Sequence, residues 1–145
     1  LSISPENLAF VRTALVGVVN QTKGTAYKAR TESIQVAGKT GTAQVQRLVR
    51  RGESQPPAYE QNDHAWFVGF APAGDPRIAM AVLVEHGGHG GEIAAPVAME
   101  IASNYFETVA PDQKNAPKVV LPKRRIEHAA AAPDTQANAP AEEAR

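Results

Sequence analysis

Val36-Ala37-Gly38-Lys39-Thr40-Gly41-Thr42-Ala43-Gln44-Val45 is the stretch on which the reading of this chain turns. Ile34 and Val36 approach it at alternate positions and Val45 leaves it, the alternation of a half-buried strand. On a strand, Thr40 and Thr42 point to one face and Lys39 to the other. Gly41 carries no side chain, so a ligand can lie against the bare main chain there. An ammonium, two hydroxyls and an unshielded backbone make a set suited to holding a carboxylate. Two other readings compete. Gly38-Lys39-Thr40 fits the end of a phosphate loop, but Ser33 stands where that motif needs its first glycine. Gly41, Thr42 and Val45 are also poor formers of the helix that a phosphate loop opens. The plainest alternative is an ordinary strand with a surface lysine, which Lys-Thr-Gly alone does not exclude.

Upstream, Ser4-Pro5-Glu6 is a helix start: a hydroxyl cap, a proline in the first turn, then an acid near the positive end of the dipole. Leu8, Val11, Leu15, Val18 and Val19, with Ala14, predict a buried stripe on a helix that fades near Asn20. Gly24 is a stop signal, and the polar run from Asn20 to Ala26 reads as a connector.

Downstream of a strand predicted over 33–46, residues 47–63 form a long polar connection. Its length predicts a functional or mobile segment, and its place after the chemical strand predicts that it borders the cleft. Arg47, Arg50 and Arg51 within it read as a solvated cluster. His64 to Ala71 is the next strand, with Trp66, Val68 and Phe70 on one face and Phe67 on the other, so both faces are expected to be covered and Trp66 to be core. Pro72-Ala73-Gly74-Asp75-Pro76 is a hairpin loop by its turn residues. Ile78 to Glu85 is apolar on both faces and predicts a central or sandwiched strand, antiparallel to the one before it. His86-Gly87-Gly88-His89-Gly90-Gly91 is a corner needing positive φ, and a helix from Glu92 to Thr108 follows, with Ile93, Val97, Ile101 and Tyr105 recurring at helical spacing. From Ala110 the chain turns to alanine, proline and charge, and residues 110–145 are expected to be a disordered tail. The fold class predicted for residues 1–109 is α+β: a three-stranded antiparallel sheet between an N-terminal and a C-terminal helix.

Bulk properties narrow the function. The 145 residues carry zero formal net charge, so nothing argues electrostatically for a nucleic-acid partner. Cysteine is absent, which excludes disulfides and thiolate chemistry. His86 and His89 have no third ligand nearby in sequence, so no metal is expected, and Ile93 breaks a dinucleotide fingerprint at its last glycine. No cofactor is implied. The longest clean apolar run, Ile78 to Val84, is far short of the roughly 20 residues of a membrane helix.

In order, the helix, Ala-Gly-Lys-Thr-Gly-Thr-Ala-Gln-Val, Ala-Trp-Phe-Val-Gly-Phe-Ala-Pro, Ile-Ala-Met-Ala-Val-Leu-Val, His-Gly-Gly and the last helix resemble the C-terminal end of penicillin-binding protein transpeptidase domains. Lys23-Gly24-Thr25-Ala26 and Glu85-His86-Gly87-Gly88 make the wording most similar to the monofunctional class B enzymes of cell elongation. The likeness covers about residues 4 to 108. The superfamily's motif set is Ser-x-x-Lys, Ser-x-Asn and Lys-Thr-Gly. Only the third occurs here. Ser2, Ser4, Ser33, Ser54 and Ser103 are followed three places on by Pro5, Asn7, Val36, Pro57 and Phe106, and no Ser-x-Asn exists. The resemblance therefore implies that the nucleophile and its base lie upstream of Leu1, and that this chain is inactive alone.

It implies further a piece of a larger five-stranded sheet, acyl transfer through a serine ester, and a donor stem peptide ending in D-Ala-D-Ala. Lys39 is assigned to substrate electrostatics and the proton network, the hydroxyls of Thr40 and Thr42 to the substrate carboxylate, and the Thr42 N–H to half of an oxyanion hole. Gly41 is assigned to the edge along which the peptide, or a β-lactam mimicking it, pairs as an added strand. A membrane glycan polymerase of the RodA type is the implied partner. The implied place is the extracytoplasmic face of the cell membrane, with an N-terminal anchor outside this chain. A β-lactamase or β-lactam sensor of the same fold, and a non-catalytic binding module using its sheet edge, are the alternatives.

Overall fold

A computed structural model of the chain describes residues 3–45 and 57–122. The first helix, α1, spans Pro5–Asn20 and starts where the sequence places it: the Ser4 hydroxyl accepts the Asn7 N–H at 3.2 Å, with Pro5 in the first turn and Glu6 beside the exposed N–H groups. It ends because Gln21 is extended, while the Asn20 side chain bonds the carbonyls of Val16 at 2.8 Å and Val36 at 2.9 Å. The apolar stripe divides along its length. Val16 and Val19 are buried, whereas Leu8 and Val11, expected on the same buried stripe, are exposed together with Phe10. Only the last turns of α1 lie over the sheet.

The sheet has strands β1 (Ala37–Ala43), β2 (His64–Ala71) and β3 (Ile78–Val84), all antiparallel, in the order β1-β2-β3. β1 is shorter than the predicted 33–46; Ile34 and Val36 are buried but precede the ladder. Register pairs Thr40 with Phe67, Gly41 with Trp66 and Thr42 with Ala65 across the first ladder, and Phe67 with Val82 across the second. The central strand is β2, not β3 as expected. β3 is an edge whose outward positions are Ala79, Ala81 and Leu83, so its apolar look on that face comes mostly from small side chains that cover little area.

The inward face of the sheet, Ala65, Phe67, Ala71 and Val82, is buried under the helix α2 (Ala94–Asn104). Here the expected stripe is on the wrong side. Ile93, Val97 and Ile101 are 42%, 42% and 48% exposed, and the buried face of α2 is Ala94, Ala95, Ala98, Met99 and Ala102. Alanines let the helix axis approach the sheet closely enough for Phe67 and Phe106 to fill the space between them, both fully buried. The helix then passes into a wider π-type turn, Tyr105–Val109.

The opposite face of the sheet is open. Trp66 is 36% and Val68 46% exposed among the described residues, so the expectation of a covered face with Trp66 in the core does not hold there; only Phe70, at the far end of the same face, is half-buried. A second, smaller cluster joins Val16 of α1, Ala37 and Ala73, with Phe70, Val119 and Leu121 against it. Arg12 ties the β2–β3 loop to α1 by donating from Nε to the Ala73 carbonyl and from Nη2 to the Gly74 carbonyl, both at 2.8 Å. Part of the expected tail also has a place. The Gln35 side chain accepts the Val119 N–H at 2.7 Å and donates to the Val119 carbonyl at 3.1 Å, doing for that segment what a strand neighbour would. The apolar triplet Val119-Val120-Leu121 is diluted when composition is averaged over the whole tail, which is why it escapes a compositional reading.

Candidate active site

Lys39, Thr40, Gly41 and Thr42 all lie in β1, an edge strand with one margin on β2 and the other unpaired. Gly38-Lys39-Thr40 thus sits inside a strand and opens no helix, which removes the phosphate-loop reading. The Val36 carbonyl accepts from Asn20 and the Thr40 carbonyl from Lys39 Nζ, the latter at 2.6 Å. Main-chain groups of an antiparallel strand point alternately to one margin and the other. The alternation that turns these carbonyls outward directs the N–H of Thr42 to the same free margin.

Side chains alternate as well. Thr40 and Thr42 share their face with Phe67 and Ala65, and Lys39 shares its face with exposed Val68. Beside this margin lies an open polar groove of about 440 Å³. One wall is Lys39 to Thr42 and Thr25; the other is His89, Gly90, Gly91 and Glu92. A second groove, of about 660 Å³, runs along α1 past Phe10, Ala14 and Val18 and also touches Thr25 and Lys39. It is the more apolar of the two, and it lacks Thr40 and Thr42. The polar groove, lined by all four residues of the motif strand, is therefore the candidate site.

Residues that the local reading treats as structure complete it. Thr25, in the predicted connector, bonds hydroxyl to hydroxyl with Thr40 at 2.7 Å. Gly90 lies on the strand itself: a Cβ there would overlap the carbonyl oxygens of Gly41 and Trp66. The corner does contain positive φ, at Gly88 (81°) and at His86 (54°), but Gly90 serves close approach instead. The signal for Thr25 and the corner was present only as family wording around Lys23-Gly24-Thr25-Ala26 and His86-Gly87-Gly88, since nothing local marks either as chemical.

The histidines hold the corner in place. His64 Nδ1 accepts the His86 N–H at 2.9 Å, His86 Nδ1 lies 3.1 Å from the Asn62 carbonyl, and the two rings meet edge-on at 4.8 Å. Tyr59 packs on His86 and donates to Glu60 at 2.9 Å; that hydrogen bond and the adjacent carboxylate hold its hydroxyl above the ordinary phenol range. Among the described residues no group of three or more His, Cys, Asp or Glu side chains is arranged to hold a metal. Of the connection expected to border the cleft, residues 47–56, with the cluster Arg47, Arg50 and Arg51 read as solvated, lie outside the described residues, and residues 57–63 do not line the groove.

Residues 1–103 match the model of the family described as penicillin binding protein transpeptidase domain. The chain belongs to this family. It is 43% identical over 97 residues to peptidoglycan D,D-transpeptidase MrdA of Acinetobacter baumannii, a match covering 63% of this chain and 14% of that protein. In structure it is similar to Pseudomonas aeruginosa PBP2 in complex with WCK 5153, with a TM-score of 0.57, 39% identity, and 71% of this chain and 20% of that one covered. It is also similar to Helicobacter pylori PBP2 in its complex with MreC, with a TM-score of 0.59, 31% identity, and 72% and 18% covered. The sheet with its flanking helices thus matches the C-terminal part of the transpeptidase-domain fold, and the chain spans 14% to 20% of the length of these relatives.

Proposed function

We propose that this chain forms part of the active site of a serine-type peptidoglycan D,D-transpeptidase of the elongation type. The observation that carries the proposal is the unpaired margin of β1, where Lys39, Thr40, Gly41 and Thr42 line one open polar groove. A peptide ending in D-Ala-D-Ala, or a β-lactam in its place, lies along Gly41 as an added strand. Its carboxylate accepts from Thr40 and Thr42 within the field of Lys39. The serine of a Ser-x-x-Lys motif, supplied by another part of the protein, attacks the penultimate carbonyl, and the Thr42 N–H donates to the oxyanion. Terminal D-alanine leaves with a proton, and an amine of a second stem peptide resolves the ester. A pre-set donor of this kind contributes about 3 kcal/mol, or 10²–10³ in rate.

Family membership supports the chemistry, and the absence of Ser-x-x-Lys and Ser-x-Asn from the sequence supports inactivity of this chain by itself. Among the described residues no helix is long and apolar enough to cross a membrane. We place the site outside the cytoplasmic membrane, on a protein anchored there and working with a glycan polymerase of the RodA type. The test is labelling of the intact protein by a fluorescent penicillin. Lys39→Ala is expected to slow labelling at least 100-fold by the magnitude of a lost transition-state donor; labelling at the parental rate removes Lys39 from the mechanism.

A further inference from the structure

We infer that Thr25 is a positioning residue for substrate binding, setting the direction in which the Thr40 hydroxyl points its proton. The inference rests on the role proposed for Thr40 and concerns a residue outside the Lys-Thr-Gly motif. The Thr25 and Thr40 hydroxyl oxygens are 2.7 Å apart, and Thr40 is the only hydrogen-bond partner of the Thr25 hydroxyl among the described residues. Each hydroxyl has one proton and can accept as well. Two arrangements are possible. If Thr40 donates to Thr25, it turns a lone pair toward the groove and repels a carboxylate. If Thr25 donates to Thr40, the Thr40 proton is free for the carboxylate, and the bond behind it polarises it further. Because no other protein group among the described residues accepts the Thr25 proton, Thr25 can act as that donor, and an arriving anion selects the second arrangement.

Thr25 is held for this task from both sides. Ala26, which is fully buried, donates its N–H to the Val18 carbonyl at 3.1 Å. Gly24 packs on the last turns of α1, where a Cβ would overlap the Val18 carbonyl oxygen, and Gly91 packs on Thr25, where a Cβ would overlap the Thr25 carbonyl oxygen. The backbone of Thr25 is thus gripped between α1 and the glycine corner, and its β-branched side chain has few rotamers to lose.

The experiment compares second-order acylation of the intact protein by benzylpenicillin and by benzylpenicillin methyl ester, which lacks the carboxylate charge. Thr25→Val keeps the shape and removes the hydroxyl. It is expected to slow acylation by the acid about tenfold, the scale of one charge-assisted hydrogen bond weakened, through weaker initial binding, while the ester reacts within about twofold of the parent protein. Thr25→Ser is expected to restore the acid rate. Equal slowing of acid and ester by Thr25→Val, or no slowing of either, overturns the inference. Thr40→Val separates it from the reading beneath: if Thr40→Val slows the acid and Thr25→Val does not, Thr25 alone is dismissed, and if Thr40→Val also leaves the acid rate unchanged, the role of Thr40 falls first.

Discussion

The two faces of the sheet differ more than their sequences suggest. On the helix-covered face, Ala65, Phe67 and Val82 are buried beneath the alanines of α2. On the other face, Trp66, Val68 and Leu83 are 36%, 46% and 44% exposed. Side-chain size points the wrong way. The larger apolar set of β2 is the open one, and on α2 the isoleucine and valine stripe faces away from the sheet while the alanines face it. What is buried is decided by how closely two elements can approach, so small residues mark the contact and large ones mark what is left outside it. The candidate site sits where the two faces meet, with Thr40 and Thr42 on the covered side and Lys39 on the open side of one edge strand.

Substitutions in this chain can break that contrast. Phe67→Ala removes a fully buried ring and is expected to cost about 3–5 kcal/mol, whereas Val68→Ala, its neighbour on the open face, is expected within about 0.5 kcal/mol. Urea unfolding monitored by the single tryptophan reads both, and equal costs would mean that the open face is covered. A smaller effect tests α2. Ala98→Leu overpacks the contact with the sheet for about 1–3 kcal/mol, while Ile101→Ser leaves the melting midpoint nearly unchanged; the opposite ranking would turn the helix over. Smallest is Gln35→Ala, which removes both bonds to Val119 at about 1 kcal/mol each. Faster hydrogen exchange at the Val119 amide, with β2 amides unaffected, is the expected result, and unchanged exchange would show that Leu121 and Val119 packing alone holds the segment.

What the sequence discloses follows the same division. The start of α1, the span of β2, the hairpin at 72–76 and the alternation of Lys39 against Thr40 and Thr42 rest on local rules: a cap, a period of two, turn residues. Those rules apply whatever the chain packs against. The central place of β2, the outward turn of Ile93, Val97 and Ile101, and the exposure of Trp66 depend on which element approaches which, and no periodicity encodes that. For the site, residues 39 to 42 stand out because a cation and hydroxyls interrupt an apolar alternation. Thr25 does not, since a threonine in a polar turn is ordinary until the fold brings it within 2.7 Å of Thr40.

The central claim is that the free margin of β1 receives a carboxylate. The most direct measurement is a crystal structure of the intact protein acylated by benzylpenicillin. The account predicts the drug carboxylate within about 2.7–3.0 Å of the Thr40 and Thr42 hydroxyls, and the acyl oxygen on the Thr42 N–H. A carboxylate bound in the groove along α1, with Thr40 and Thr42 left unoccupied, would contradict it.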